Sequence, residues 1–193
     1  MRIDAGGKQC PIPVIMAKKE LEAGEQDVEI IVDGQTQIDN LSRLGDTLGR
    51  PATSEPFGDK FLVKFANGET KVGAAGAADG SYAVFFNTNA IGTNVGELGG
   101  NLAKMAIFTL SESVNIPSYV LFMNEGVKLV AGDNVQQQIV DNLNTLIEKG
   151  SKVLVCGTCL NFYEITEQLK VGTVSNMYDI LGAMQEVSKV IKL

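Results

Sequence analysis

Two short stretches of this chain hold all of its thiols, and each sets them where sulfur chemistry is favoured. The first is Cys10-Pro11-Ile12-Pro13, followed by the helix-forming run VIMAKKELE. Proline suits the first turn of a helix, because the N–H it lacks would have no intrahelical partner there. The prolines therefore fix a helix start and place Cys10 at its boundary, where unpaired N–H groups and the helix dipole favour a thiolate. The second stretch is Cys156-Gly157-Thr158-Cys159, at the end of the apolar run VLV and ahead of a helical segment. Two thiols three residues apart can close a disulfide, or one can take a sulfane atom that the other releases. Against these stand plainer readings: Cys10 as a small buried hydrophobe, and Cys156 and Cys159 as core thiols or as half of a zinc site completed across a dimer.

The rest of the composition narrows the chemistry. The chain has 193 residues, three cysteines and no histidine. Ser-His-Asp and Cys-His catalysis are thereby excluded, as is any His-ligated metal. No cofactor and no resident metal is expected. A net charge of −7 without Lys/Arg clusters argues against nucleic acid. No apolar run reaches the length of a membrane span and no signal segment opens the chain, so a cytoplasmic protein with no membrane partner is expected.

The elements that must position the thiols follow from periodicity. Arg2 to Asp4 reads as a strand, and the helix after Pro11 should bury Val14, Ala17 and Leu21 and end at Gly24. Val28, Ile30 and Val32 alternate as a strand, with a turn at Asp33-Gly34. A second helix is expected over Gln35 to Gly45, and two strands between Pro51 and Phe65 around Phe57-Gly58-Asp59. This is a βαβαββ two-layer sandwich with both helices on one side of the sheet. The glycine- and alanine-rich stretch from Asn67 to Gly80 has no large apolar residue and reads as a flexible linker. The expected division is 1–70, a linker over 71–80, and 81–193.

In the second domain Ala83 to Phe86 is a continuous apolar run, as in a strand buried on both faces. A Gly/Asn-rich loop, 87–96, precedes a helix whose stripe is Leu98, Leu102, Met105, Ala106 and Thr109. Tyr119 to Met123 is the next strand, with Asn124-Glu125-Gly126 as its exit loop. Val135, Ile139, Leu143 and Leu146 mark a helix ending at Gly150, and Lys152 to Val155 is a strand running into Cys156. Asn161 and Glu164 have capping-box spacing, which starts the next helix just beyond the cysteines. Physical reasoning from that placement makes Cys159, in a loop, the more acidic and exposed thiol. Val171 to Val174 is a strand, and Ser175 or Asn176 caps a helix bearing Met177, Ile180, Leu181 and Met184. A final strand runs from Val187 to Leu193. Alternating strands and helices imply a doubly wound, mostly parallel α/β sheet with its site at the carboxyl ends of the strands. The glycines at 92, 96, 99 and 100 do not form a G-x-G-x-x-G fingerprint; close helix–sheet packing explains them better.

The residues Asp4-Ala5-Gly6-Gly7-Lys8-Gln9-Cys10-Pro11-Ile12-Pro13-Val14 resemble the TusA/SirA-like sulfur-carrier family. The resemblance implies that Cys10 carries sulfur as a persulfide. Gly6-Gly7 departs from the pattern, which implies a basic residue beside one glycine. VLVCGTCL, with VGTVSNMYDI and GELGGNLAKMAIFTLSE, resembles the DsrE-like family. That implies a flavodoxin-like sheet, sulfur relay, a functional cysteine at Cys156 and an accessory thiol at Cys159. On this basis Cys156 is expected to hold the transferred atom and Cys159 to resolve it. The pairing of the two domains is similar to the YedF-like group, associated with selenium metabolism. The partners so implied are a persulfide donor such as a cysteine desulfurase, a sulfur or selenium acceptor protein, and further copies of the chain through the C-terminal domain. The competing functions are an oligomeric scaffold with Cys10 as the only working thiol, and a dithiol redox protein cycling Cys156 and Cys159.

Overall fold

The order of elements is β1 (Arg2–Asp4), α1 (Ile12–Glu22), β2 (Glu29–Val32), α2 (Gln35–Leu48), β3 (Ala52–Phe57), β4 (Lys60–Phe65), then β5 (Tyr82–Phe86), α3 (Glu97–Ser111), β6 (Tyr119–Phe122), α4 (Gln137–Glu148), β7 (Lys152–Cys156), α5 (Gly157–Phe162), β8 (Thr173–Ser175), α6 (Met177–Glu186) and β9 (Lys189–Lys192). The computed structural model describes residues 1–9, 11–70, 80–92 and 97–193. The chain divides into two units, Met1–Ala75 and Gly76–Leu193. Most of the expected linker, and the end of the loop ahead of α3, lie outside the described residues.

In the first unit the sheet order is β1-β2-β4-β3, with β1 parallel to β2 and the other pairs antiparallel. Its core joins Ile3, Ile30, Val32, Val63 and Phe65 of the sheet to Ala17, Leu21, Ile38, Leu41 and Leu48 of the helices. Pro11 occupies the N-cap of α1 and Pro13 its first turn, as their fixed φ and missing N–H dictate. The second helix runs past the expected stop at Gly45 to Leu48, and Gly49, at φ 71°, ends it. Gly45 is a point of close approach: a Cβ there would lie 2.5 Å from the Arg50 carbonyl oxygen. Arg50 is fully buried. Its guanidinium donates to the carbonyls of Ala66 at 2.8 Å and Glu25 at 2.7 Å, tying the end of β4 to the end of α1.

In the second unit five parallel strands form a sheet in the order β8-β7-β6-β5-β9. One face carries the larger core, where Phe86 and Phe122 stack at 5.2 Å against Ala103, Ile107, Ile139, Leu143 and Leu160. The other face packs Ala83, Tyr119, Leu121 and Cys156 against Ile180 and Ala183 of α6. The unit is thus an α/β sheet with helices on both faces, as its alternating pattern implied.

Elements of the second unit also differ from the sequence reading. The buried face of α3 is Gly99, Ala103, Ile107 and Ser111, while Leu98 and Leu102 are exposed. Small residues face inward there because the helix packs closely on its neighbours, and periodicity in large residues marks the wrong stripe. The exit from β6 is a 3₁₀ turn, Asn124–Leu129, rather than a loop. On α6 the buried residues are Ile180 and Ala183, with Met177 and Leu181 left half-exposed.

Candidate functional site

In the first unit the segment leading to Cys10 is held by a chain of hydrogen bonds. Ala5 N–H donates to Ile31 O (3.0 Å), extending the β1–β2 ladder by one residue, and Lys8 N–H donates to Ala5 O (3.1 Å). Between them Gly6 N–H donates to Asp4 Oδ1 at 2.9 Å and Gly7 N–H to Asp33 Oδ2 at 2.6 Å. Gln37 Nε2 donates to Lys8 O at 3.2 Å, and Ile12 N–H to Gln9 O at 3.0 Å. Every main-chain N–H from Ala5 to Lys8 therefore has an acceptor, two of them carboxylates, which bind N–H groups more strongly than neutral oxygens do. Asp33 also pairs with Lys60 Nζ at 3.7 Å. That ammonium lies over Gly6, 2.0 Å from where a Cβ would sit. A lysine from β4 thus fills the space of a side chain at position 6, where the pattern of the motif implied a basic residue. Cys10 itself lies outside the described residues.

In the second unit β7 ends at Cys156, which is paired in register with Ser175 of β8. Cys156 is the N-cap of α5, and Cys159 lies within the helix rather than in a loop before it. The expected cap at Asn161 fails; its Oδ1 instead accepts a hydrogen bond from Thr166 Oγ1 at 2.7 Å. Glu164, at φ 58°, follows the helix end. Cys156 is 1% exposed, among Ala83, Leu121, Ile180 and Ala183. Cys159 is half-buried and packs at the rim of both cores.

A main-chain donor to the pair comes from the 3₁₀ turn that follows β6, the strand beside β7. Asn124 N–H donates to Cys159 Sγ at 3.1 Å. Its position is set by Gly126, where a Cβ would fall 2.2 Å from the Phe86 carbonyl oxygen; the 3₁₀ turn seats directly on the end of β5. Met123 N–H to Phe86 O (3.1 Å) and Gly126 N–H to Met123 O (2.9 Å) hold that seat. Tyr163 OH donates to Asn124 Oδ1 at 3.4 Å, and Lys128 Nζ lies 4.1 Å from the centre of the Tyr163 ring. Beyond Tyr163 opens a cleft of about 540 Å³, lined by Lys128, Asp133, Gln136, Glu164 and Gln168 among others.

Burial pushes the Cys159 thiol up from its ordinary value, hydrogen bonding with the Cys156 thiol adds to the shift, and the Asn124 N–H opposes it. The expected acidic Cys159 is thus corrected: the helix terminus does not outweigh desolvation. The greater exposure expected of Cys159 is observed. Asp33, Lys60, Gln37, Asn124 and Tyr163 were not singled out by sequence. The available signals were Asp33-Gly34 after a strand, which read simply as a turn, and Asn124 before an acid and a glycine, which read simply as an exit loop. Among the described residues, no group of three or more His, Cys, Asp or Glu gathers to hold a metal ion, and no helix is long and apolar enough to cross a membrane.

Comparison with known proteins bears on both units. Residues 80–193 match the DsrE/DsrF-like family and residues 1–53 match the family described as Sulfurtransferase TusA. A SirA-like protein from Desulfitobacterium hafniense is 32% identical, over 35% of this chain and 100% of its own, with a TM-score of 0.32. The ychN protein from E. coli is 18% identical, over 58% of this chain and 99% of its own, with a TM-score of 0.43. No curated protein matches significantly.

Proposed function

The chain belongs to the DsrE/DsrF-like family, with a TusA-type unit ahead of the matching region, and from that premise we propose that it carries sulfane sulfur or selenium between two thiol sites. Both families are sulfur-relay families. In this reading Cys10 takes the atom from the persulfide of a donor protein of the cysteine desulfurase class, and the Cys156/Cys159 pair exchanges it with Cys10 or an acceptor protein. Each exchange is redox-neutral. A thiolate attacks the outer chalcogen of a persulfide or its selenium counterpart, one bond to that atom forms as the donor's breaks, and the donor leaves as a thiolate that takes up a proton. An association with selenium metabolism, as in the YedF-like group, belongs to the same proposal.

The observation that carries the reading is the thiol pair at the carboxyl end of a central parallel strand, with a main-chain N–H aimed at the half-exposed sulfur. Ligands of such sheets bind at that end. Self-association through this unit is supported by the apolar side chains left exposed on α6 and β8, Met177, Tyr178, Leu181 and Val174. The scaffold alternative, with Cys10 as the only working thiol, draws support from the burial of Cys156. Mass spectrometry after incubation with a persulfide donor tests the proposal. Gain of one sulfur or selenium atom on Cys10 and on one of the pair supports two-site carriage. Loading of Cys10 alone favours the scaffold, and loss of two hydrogens across the pair without any added atom favours redox cycling.

A further inference from the structure

We propose that Cys159, rather than Cys156, is the thiol of the second unit that receives the incoming atom, and that Asn124 is its positioning residue, acting through its main-chain N–H. This inference rests on the two-site reading above and assigns roles within its second site.

Access comes first. A sulfane atom held on another protein must be met by a sulfur at the surface, and Cys156 is 1% exposed beneath α6. Loading Cys156 directly would require displacing Ile180 and Ala183, both buried. Cys159 stands half-buried at the rim.

The second argument is backbone conformation. Asn124 is one of three non-glycine residues with positive φ among the described residues, at 49°. Left-handed backbone disfavours most L-residues and is best tolerated by asparagine and aspartate. Here it turns the residue 124 N–H onto a sulfur, Cys159 Sγ at 3.1 Å. Two features hold the turn: the seat of Gly126 on the Phe86 carbonyl and the hydrogen bond from Tyr163 OH to the Asn124 side chain. Such conformations persist where surrounding structure over-determines them, and they concentrate at functional sites.

The third argument is charge. The attacking species is the thiolate, and an N–H donor stabilises an anionic sulfur more than a neutral one. Burial opposes ionisation of Cys159, while the Asn124 N–H, 3.1 Å from Sγ, favours it, so this donor eases formation of the nucleophile at that atom. The charged groups on the adjoining 3₁₀ turn, Glu125 and Lys128, pair with each other at 3.3 Å, and Tyr163 lies beneath that lysine. Cys156 is the titratable neighbour on the thiol's own side. The loading step balances as donor–S–SH plus Cys159–SH giving donor–SH plus Cys159–S–SH: the donor S–S bond breaks, a new one forms at Sγ, and the Cys159 proton passes to the leaving donor thiolate.

The test uses the full-length protein with glutathione persulfide as the probe and peptide-resolved mass spectrometry as the readout. Cys156→Ser should keep the sulfur adduct on Cys159, and Cys159→Ser should remove it from the second unit. Asn124→Gly keeps the N–H and tolerates the left-handed backbone but loses the hydrogen bond from Tyr163, so it should load more slowly than the unaltered chain and faster than Asn124→Val. Asn124→Val disfavours that backbone. It should load about tenfold more slowly near neutral pH, with the alkylation profile of Cys159 moved up by about one pH unit. If Asn124→Val does not fold, Asn124→Ala replaces it, with the same direction and a smaller shift. An adduct that survives Cys159→Ser and is lost in Cys156→Ser overturns the assignment, as does a folded Asn124→Val that loads and titrates unchanged. If Cys10 loads and neither thiol of the pair does, the second-site reading itself falls and takes this inference with it.

Discussion

The segment before Cys10 and the strand end at Cys156 are held by different materials. Ahead of Cys10 the backbone is fixed by exposed polar groups: the carboxylates of Asp4 and Asp33, the Gln37 amide and the Lys60 ammonium. Around Cys156 and Cys159 the support is apolar, with two cores meeting at Cys159 and the main-chain N–H of Asn124 reaching its Sγ. A loop fixed by charge-assisted hydrogen bonds can be loosened by one lost carboxylate while the core beneath it stays intact. A site fixed by packing responds instead to volume. The two units should therefore answer to opposite kinds of substitution.

The largest effect is expected from volume in the second unit. Gly126→Ala puts a methyl group 2.2 Å from the Phe86 carbonyl oxygen. The obstacle is backbone, which cannot swing aside as a side-chain end could, so the cost should be about 3 kcal/mol, the upper range for overpacking. Thermal unfolding of the full chain should show the transition of the second unit lowered and that of the first unchanged. Alkylation of Cys159 should change with it, since the same seat aims the Asn124 N–H. A variant with unaltered unfolding would mean that the 3₁₀ turn is not locked on β5, and the contrast with the polar loop would lose its basis.

A middle-sized effect should come from charge in the first unit. Asp33→Ala removes the acceptor of Gly7 N–H and the partner of Lys60. The bonds are exposed, so the loss of stability should be about 1 kcal/mol. The functional effect should be larger in proportion, seen as slower loading of Cys10 with the reactivity of Cys159 untouched. Asp33→Asn keeps an acceptor oxygen and should fall between. Equal effects on the thiols of both units would show that Asp33 acts on the fold at large and not on the Cys10 segment.

Sequence pattern was informative wherever one strong local constraint acted. The prolines at 11 and 13 fixed the start of α1, the alternation at Val28, Ile30 and Val32 gave β2, and the run Ala83 to Phe86 gave a buried parallel strand. It failed where tertiary packing chose between local options. Gly45 looked like a helix stop, yet the returning chain at Arg50 needs that space and the helix continues. Leu98 and Leu102 looked like core, yet α3 packs through Gly99 and Ala103. Asn161 and Glu164 had the spacing of a capping box, yet Cys156 ends its strand at the helix N-cap, so the helix starts earlier. Spacing drew attention to the thiols, and the family resemblance supplied the roles expected of Cys10 and Cys156. Their supports could not be read in the same way, because Asn124 and Cys159 are 35 residues apart and nothing local marks that contact.

The smallest expected effect is a pH dependence confined to the second unit. Burial, reinforced by the Cys156 thiol, raises Cys159 in the folded state above the ordinary thiol value, which is about 8.5 in an unfolded chain. Below that pH both states hold the proton and the stabilisation is fully present. As pH rises above about 8.5 the unfolded chain releases the proton first, so the folded state binds more protons than the unfolded one and stability falls with pH. The decline continues until the folded thiol titrates as well. Tyr119, raised first by its hydrogen bond to Glu186 and then by burial, and Tyr82, raised by burial, add slopes of the same sign only above about 10. The window between about 8.5 and 10 therefore isolates Cys159 from the two tyrosines. Denaturant unfolding across that window should show a shallow fall in the stability of the second unit, and Cys159→Ser should flatten it. A slope that survives the substitution would mean that the thiol is not held neutral by its surroundings, and the contrast between a polar carrier loop and an apolar receiving site would narrow to one of access alone.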